Sequence, residues 1–529
     1  MKKSKTVTIY DTTLRDGNQT VGISFSLADK LRIAERLDDL GIHYIEGGWP
    51  NPTNPTDCEF FKQASTMRFN AKIAAFGMTK RPDTKAHDDP YLRKLIRVKT
   101  PVVTIFGKSW DLHVEKVIRC SLAQNIDMIC DSIAYLKKNK DEVIYDAEHF
   151  FDGYKKNSAY ALKTLRAAEQ AGADTIVLCD TNGGILPSEL IGIFREVKKL
   201  VSAPLGIHLH NDSGCAEANS FLAVDEGAVQ VQGTMNGIGE RCGNANLCTI
   251  IAGLQLKRGY PIIKASRLEK LTGTSIFISE IANLSHNVRY PYVGEAAFSH
   301  KGGAHIDGVM KIRDSFEHIS PETVGNSRKF VLSSQSGKGT ILEKLKHIKP
   351  NLDKDNPLVK KVLEKIKSME SVGYHFEAAE GTFELLVQGI LGNKSEFFTV
   401  KGFRVIEDKR ENGDIFSEAT IQIEENGVFE HTAAEGDGPV NALDNALRKA
   451  LIKFFPSLRE VKLEDYKVRV LDEREGTAAR VRVLIESSDG KNRWGTIGVS
   501  TNIIEASWLA LVDSLRYKLM KEDQGKFRI

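Results

Sequence analysis

Two histidines separated by one residue, in the run Gly206-Ile-His-Leu-His-Asn-Asp212, are the residues best suited to chemistry. Side chains at i and i+2 of a strand share a face, so His208 and His210 can converge on one point. Asp16, which follows an apolar, alternating stretch, is a third candidate ligand. Two imidazoles and a carboxylate are typical of a catalytic divalent-metal site with open positions. A His-x-His pair alone is more often two structural histidines at the end of a strand that make hydrogen bonds. Neighbouring motifs must therefore decide between a metal site and a structural role.

Composition and charge are those of an ordinary soluble globular protein. The chain has 529 residues, 27% of them charged and 41% hydrophobic, which predicts roughly two to four domains. A net charge of +3 gives no support for nucleic-acid or membrane binding, and no apolar run is long enough to cross a bilayer. The lysines at the start lack the apolar stretch of a signal peptide. Seven cysteines without a Cys-x-x-Cys pair fit reduced thiols, so we expect a cytoplasmic protein.

The first 265 residues alternate short apolar runs with amphipathic stretches of helical length. Ser26–Gly41 shows the helical pattern well, with a serine cap, an acid three residues later, apolar residues at 3–4 spacing and a closing glycine. Eight such units predict an α/β fold, a (β/α)8 TIM barrel, with a doubly wound open sheet as the alternative. The eight predicted strands are Val7–Tyr10, Tyr44–Glu46, Ile73–Phe76, Val102–Phe106, Val143–Tyr145, Thr175–Leu178, Leu205–His210 and Ala228–Gln232.

The barrel prediction places the chemically interesting residues together. Active sites of such barrels lie at the carboxyl ends of the strands. Residues so scattered in sequence meet only if the barrel closes. Because all of them fall at the strand ends where active sites lie, a functional role is favoured over a structural one. The residues that follow or end predicted strands are Arg15 and Asp16 after the first, Glu148 after the fifth, Thr181 after the sixth, His208 and His210 in the seventh and Asn244 after the eighth.

Two further regions follow the barrel. Residues 266–395 are predicted to form helical linker subdomains, in which Ser334–Gly339 lacks the residues of a phosphate loop and is better explained as a turn. Residues 396–529 show period-two strands and an internal repeat. Asn426-Gly427 and Asp489-Gly490 are hairpin signals, and corresponding residues of the two copies keep a constant spacing. Such a repeated α+β domain can sense a small ligand or dimerise, and the residues alone leave both open.

Three motifs in order resemble the signature of the 2-isopropylmalate, homocitrate and citramalate synthase family. They are Asp11-Thr-Thr-Leu-Arg-Asp-Gly17, His208-x-His210 and Gly239-Glu-Arg-Cys-Gly-Asn244. The resemblance covers essentially the whole chain, and it includes the connector Gln335–Gly339 and the repeated domain of feedback-regulated members. Within the family, Tyr44–Pro50 and Gly498–Trp508 resemble the citramalate branch.

The resemblance implies a condensation of acetyl-CoA with a 2-oxo acid, followed by thioester hydrolysis. It implies a divalent metal (Mn, Mg or Zn) held by Asp16, His208 and His210, with Asn244 in or near the ligand shell. The ion would polarise the keto carbonyl. For the citramalate branch it implies pyruvate as the oxo acid, a homodimer, and isoleucine as an effector at the repeated domain.

The resemblance also assigns roles to the remaining site residues. Arg15 cannot act as a base, but its guanidinium can stabilise oxyanion charge. Thr181 would bind the oxo-acid carboxylate. Glu148 is the first candidate for proton transfer, and His305, from the helical region, could promote enolisation or activate water. Phe316 stands where many relatives have a tyrosine, and it cannot donate a proton.

Substrate choice is expected to depend on apolar residues near the metal, namely Phe76, Met78 and Phe106. A bulky wall would admit pyruvate and exclude a branched chain, although discrimination is only about 1–3 kcal/mol per methylene. The rivals are 2-isopropylmalate synthase, with 2-oxoisovalerate, and a lyase that cleaves a 3-hydroxyacyl-CoA. A catalytically inactive amino-acid sensor is the rival from a different class, and it would bind a ligand at the repeated domain without turnover.

Overall fold

A computed structural model describes residues 6–51, 53–331, 338–346, 349, 352–353, 355–393, 396–409, 411, 413–471, 476 and 478–525. They form two compact units, one of residues up to 298 with 317–328, the other of 299–316 with residues from 329 onwards. The predicted turn at 334–339 lies almost wholly outside the described residues. The three-way division at 265 and 395 stays a prediction. No helix within the described ranges is long and apolar enough to cross a membrane.

The first unit is a closed barrel of eight parallel strands, which confirms the predicted fold class. Each strand pairs with the next, and β1 pairs with β8 to close the cylinder. The strands are β1 Thr8–Asp11, β2 Tyr44–Gly48, β3 Lys72–Met78, β4 Val102–Lys108, β5 Glu142–Glu148, β6 Thr175–Asp180, β7 Leu205–Leu209 and β8 Gln230–Gly233.

A helix follows every barrel strand and covers its outer face. The first of them begins at the predicted serine, where Ser26 and Asp29 form a capping box, and ends before Gly41, whose φ of 99° is left-handed. Side chains of alternating strand residues fill the barrel interior, among them Tyr10, Val102 and Val177. The helices of this unit are α1 Leu27–Leu40, α2 Pro55–Ala64, α3 Pro90–Arg97, α4 Leu122–Lys137, α5 Phe150–Gln170, α6 Pro187–Leu200, α7 Ala216–Glu226, α8 Leu247–Lys257, α9 Ala265–Leu268 and α10 Leu271–Ile281.

The second unit begins with helices and a short parallel strand pair. These elements are β9 Ser299–His300, α11 Gly303–Lys311, β10 Lys329–Phe330, α12 Lys338–Lys346, α13 Pro357–Ser371 and α14 Glu380–Leu391. Apolar residues of α12, α13 and α14 form a separate small core that includes Ile341, Val362 and Val387.

The predicted repeat is present as two three-stranded antiparallel sheets, each followed by a helix. Asn426 and Gly427 both have positive φ, of 48° and 80°, as a two-residue hairpin turn requires. Gly490, in the second copy, has a φ of 82°. The first copy is β11 Thr399–Lys409, β12 Ile415–Glu425, β13 Val428–Gly436 and α15 Pro439–Leu451, and the second is β14 Lys462–Val470, β15 Val481–Ser488, β16 Arg493–Ser500 and α16 Ile503–Asp523.

Candidate active site

Three of the predicted metal ligands meet at the carboxyl end of the barrel. Asp16, His208 and His210 each offer a ligand atom within 4.8 Å of the others. The Nε2 atom of His208 lies 3.4 Å from Oδ2 of Asp16. All three side chains are buried. Because β1 and β7 both pair with β8, closure of the barrel is what brings the aspartate to the two histidines.

The fourth predicted ligand, Asn244, lies in the same cluster. Its Nδ2 atom is 3.3 Å from Oδ2 of Asp16 and 3.3 Å from Nε2 of His208. Within the described part of the chain, Oδ1 of Asn244 and Nδ1 of His210 are buried without a hydrogen-bond partner. Unpaired lone pairs in a buried N/O cluster are what a cation needs. The donor set therefore fits a divalent metal.

The ionisation of the cluster also suits a cation. Burial lowers the pKa of His208, and burial together with the neighbouring His208 lowers that of His210 to about 4. Both imidazoles are then neutral at pH 7 and keep a free lone pair. Burial alone would raise the pKa of Asp16, but Arg15 and the histidines outweigh it and the pKa is lowered. The ligand set at neutral pH is one carboxylate and two neutral imidazoles.

Arg15 is oriented toward this cluster by two acids and a ring. Its Nε donates to Oε1 of Glu46 at 2.6 Å, and its Nη1 pairs with Asp16. The guanidinium lies 3.8 Å above the ring of Phe76. The side chain is only 14% exposed, so its charge is fixed at the mouth of the barrel rather than solvated.

Glu148 and Thr181 lie at the same end of the barrel. Glu148 ends β5 and forms an ion pair with Lys108, which ends β4 and is its partner in register. Thr181 follows β6, and its Oγ1 accepts a hydrogen bond from the backbone N–H of His149 at 2.9 Å. The hydroxyl hydrogen of Thr181 is therefore left to donate to another acceptor.

His305 lies in the second unit, on α11. Its ring stacks on Phe316, with centroids 4.3 Å apart. Gly308 permits this contact, because a Cβ there would meet the Phe316 ring at 2.4 Å. The phenylalanine thus supplies an aromatic surface for His305. The approach of His305 to the barrel stays a prediction.

The residues proposed to set substrate size form an aromatic cluster beside Arg15. The rings of Phe76 and Phe106 stack at 5.5 Å, and Trp49 packs edge-on against both, at 6.1 and 5.8 Å. Met78 is the register partner of Phe106. Because the guanidinium of Arg15 covers Phe76, this apolar cluster borders the charged part of the site.

Several site residues were not singled out from the sequence. Glu46, Lys108, Asp146 and Gln232 all contact the predicted residues or each other. Burial raises the pKa of Asp146 well above its usual range, and the nearby Glu46 adds to the effect. The signal available was a polar residue at an inward position of a barrel strand, as in Gln230-Val-Gln232, where the alternation points both amides inward.

Comparison with known proteins agrees with this geometry. Residues 6–278 match the family model described as HMGL-like. The homocitrate synthase post-HMGL domain-like model matches 292–373, and the LeuA allosteric (dimerisation) domain matches 377–519. The chain belongs to the HMGL-like family.

Full-length relatives define its place within that family. The (R)-citramalate synthase of Aquifex aeolicus is 55% identical, and that of Geobacter sulfurreducens 56%, each match covering 98% of both chains. The 2-isopropylmalate synthase of Methanocaldococcus jannaschii is 29% identical over 98% of this chain and 96% of its own length. The chain groups with the (R)-citramalate synthases, as the motifs predicted.

Proposed function

We propose that this protein condenses acetyl-CoA with pyruvate and hydrolyses the thioester, giving (R)-citramalate and CoA. The observation that carries the proposal is the Asp16–His208–His210 cluster with Arg15 beside it, in a chain whose full-length relatives are citramalate synthases. The product would feed the isoleucine branch of amino-acid biosynthesis.

The metal site would consist of Asp16, His208 and His210, with Asn244 as a fourth ligand. A divalent cation (Mn, Mg or Zn) bound there supplies Lewis acidity toward a chelating 2-oxo acid. The buried carboxylate and neutral imidazoles hold the cation, and Thr181 donates its hydroxyl hydrogen to the carboxylate of pyruvate. The aromatic cluster excludes water from the methyl side of the substrate.

The protons would be moved by Glu148 and His305. Glu148, held in place by Lys108, takes a proton from the acetyl methyl directly or through one water. The resulting enolate carbon attacks the keto carbon of pyruvate, and Arg15 stabilises the oxyanion charge. His305 assists enolisation or activates the water that cleaves the thioester, with Phe316 serving only as its stacking partner.

An oxo-acid preference assay tests the proposed reaction. Thiol release from acetyl-CoA is followed with pyruvate and with 2-oxoisovalerate as alternative acceptors. If the stacked Phe76 and Phe106 form the wall beside the methyl group of pyruvate, we expect kcat/KM for pyruvate to exceed that for 2-oxoisovalerate by at least about 10-fold. Preference for the branched acid would favour 2-isopropylmalate synthase, and ligand binding without any thiol release would favour the sensor.

The second unit would carry regulation and dimerisation. The match of 377–519 to the LeuA allosteric (dimerisation) domain and the two sheet–helix copies support a homodimer that binds isoleucine. Calorimetric titration of the purified protein should show isoleucine binding more tightly than leucine, with inhibition of turnover over the same concentration range. If neither amino acid binds, the regulatory assignment of residues 396–529 is wrong.

The same proposal extends to location and domain limits. All seven cysteines carry free thiols, which supports a reducing compartment such as the cytoplasm. We propose three functional segments: the barrel at 1–265, helical linker subdomains at 266–395 and the regulatory domain at 396–529. Limited proteolysis with mass spectrometry of the fragments would locate the two boundaries.

A further inference from the structure

The ring nitrogen of His208 that faces away from the ligand cluster is held by a buried glutamine. Nδ1 of His208 lies 2.9 Å from Oε1 of Gln232. The two residues are register partners on β7 and β8, and Gln232 is fully buried. An amide oxygen can only accept, so this contact requires the hydrogen of the imidazole to sit on Nδ1.

The orientation of the Gln232 amide is itself set by its neighbours. Its Nε2 donates to Oδ1 of Asp146 at 3.1 Å and approaches Oε1 of Gln230 at 3.5 Å. The 3.1 Å hydrogen bond to Asp146 directs the NH2 group away from the imidazole, so Oε1 is left for His208. The 3.5 Å approach to Gln230 is too long to set this orientation. If the amide turned over, it would place NH2 against the imidazole and oxygen against Asp146.

The second histidine of the cluster lacks such a contact. Within the described ranges, Nδ1 of His210 is buried without a hydrogen-bond partner. Among the hydrogen bonds of the described residues, one that determines a tautomer is therefore seen at Nδ1 of His208 and not at Nδ1 of His210. The Nε2 of His208 is left without hydrogen and faces Oδ2 of Asp16 at 3.4 Å and Nδ2 of Asn244 at 3.3 Å.

We infer that Gln232 is a positioning residue, which, held by Asp146, locks His208 in the Nδ1–H form with the Nε2 lone pair directed at the cation site. This inference rests on the proposed function, since it needs the cluster to bind a divalent metal. A partner on the second nitrogen of a ligating histidine fixes ring orientation and raises ligand basicity, and its loss weakens metal affinity by about 10–100-fold. We therefore expect metal affinity to fall when Gln232 is replaced, and to stay nearly unchanged when its strand neighbour Gln230 is replaced.

The test is the affinity of the chelator-stripped, full-length protein for Mn²⁺, measured by calorimetry. Gln232→Met keeps the side-chain length and removes the acceptor, so we expect the Kd for Mn²⁺ to rise about 10–100-fold. Gln230→Met is the matched control, because Gln230 lies on the same strand and face but approaches Gln232 only at 3.5 Å and makes no hydrogen bond to His208 within the described ranges. Its Kd should stay within about threefold of wild type.

A second pair of variants covers the case in which Gln232→Met does not fold. Asp146→Asn keeps an oxygen that accepts from Gln232, whereas Asp146→Leu removes it and frees the amide to turn. We expect the leucine variant to lose Mn²⁺ affinity and the asparagine variant to retain it. Excess Mn²⁺ should restore part of the turnover of Gln232→Met, because a weakened but intact metal site refills at higher metal concentration.

The outcomes separate this inference from the proposed function. Wild-type binding of Mn²⁺ with an unchanged Kd in Gln232→Met, or in Asp146→Leu, overturns the positioning role and leaves the metal site intact. Weakening by Gln230→Met as large as that by Gln232→Met also overturns it, because the effect would then be general packing. If the wild-type protein binds no Mn²⁺, the proposed metal site fails and this inference fails with it.

Discussion

Replacing Asp16 by asparagine should reduce kcat with pyruvate and acetyl-CoA by at least about 10³-fold, equivalent to about 4 kcal/mol of transition-state stabilisation. The substitution preserves shape but removes the only carboxylate among the three clustered ligands. Without this carboxylate the ligand set carries no negative charge to offset that of a divalent ion, so the cation would leave the site. Steady-state kinetics with each substrate varied would measure the effect.

The matched control for this prediction is Asp152→Asn. Asp152 also lies beyond the carboxyl end of a barrel strand, and its Oδ2 accepts a hydrogen bond from Asn182 at 2.9 Å, but it is outside the ligand cluster. We expect the control to keep most of its turnover and both variants to unfold at similar temperatures. If Asp16→Asn kept kcat within a few-fold of wild type, Asp16 would not be a metal ligand of this reaction.

Arg15→Lys should lower kcat by about 10²–10³-fold while leaving Mn²⁺ affinity nearly unchanged. Lysine keeps the positive charge, but it cannot donate to Glu46 and pair with Asp16 through a planar fork, nor cover the ring of Phe76 in the same way. A charge that stabilises the oxyanion only in the transition state should affect kcat more than KM. Kinetic and calorimetric measurements on one preparation would separate an effect on kcat from an effect on Mn²⁺ affinity.

The control for Arg15→Lys is Arg241→Lys. Arg241 is an exposed arginine at the same end of the barrel that binds Asp212 through two nitrogens, at 2.8 and 2.9 Å. We expect only a small change in kcat there, because its ion pair is solvated. A loss in Arg15→Lys confined to KM, with kcat preserved, would reassign Arg15 to ground-state binding of substrate.

Much of the barrel was predictable because its signals are local. The helix α1 needed only a serine cap, an acid three residues later, apolar spacing and a terminal glycine, and the structure has each of them. The strands were placed to within a few residues, although β7 ends at Leu209 and β8 begins at Gln230 rather than at the predicted limits. Strand ends depend on hydrogen bonds to neighbouring strands, which a single segment does not reveal.

The site was predictable where its residues lie in short motifs and not where partners come from separate strands. Asp16, His208 and His210 were found because their types and spacing suit a metal. Glu46 and Gln232 were missed, since each is a polar residue at an inward position of a barrel strand and acquires its partner only when the barrel closes. The alternation of side chains along a strand predicts that both residues point into the barrel. Which atoms they contact depends on the pairing register of neighbouring strands, which the sequence does not give.

The most direct measurement of the central claim is the binding of Mn²⁺ to the chelator-stripped protein, compared between wild type and Asp16→Asn and followed by turnover on re-addition. We predict about one Mn²⁺ per chain in wild type, loss of turnover on stripping, recovery on re-addition, and no comparable binding in the variant. Full turnover of the stripped protein, or equal Mn²⁺ affinity in both proteins, would contradict a divalent-metal site formed by Asp16, His208 and His210.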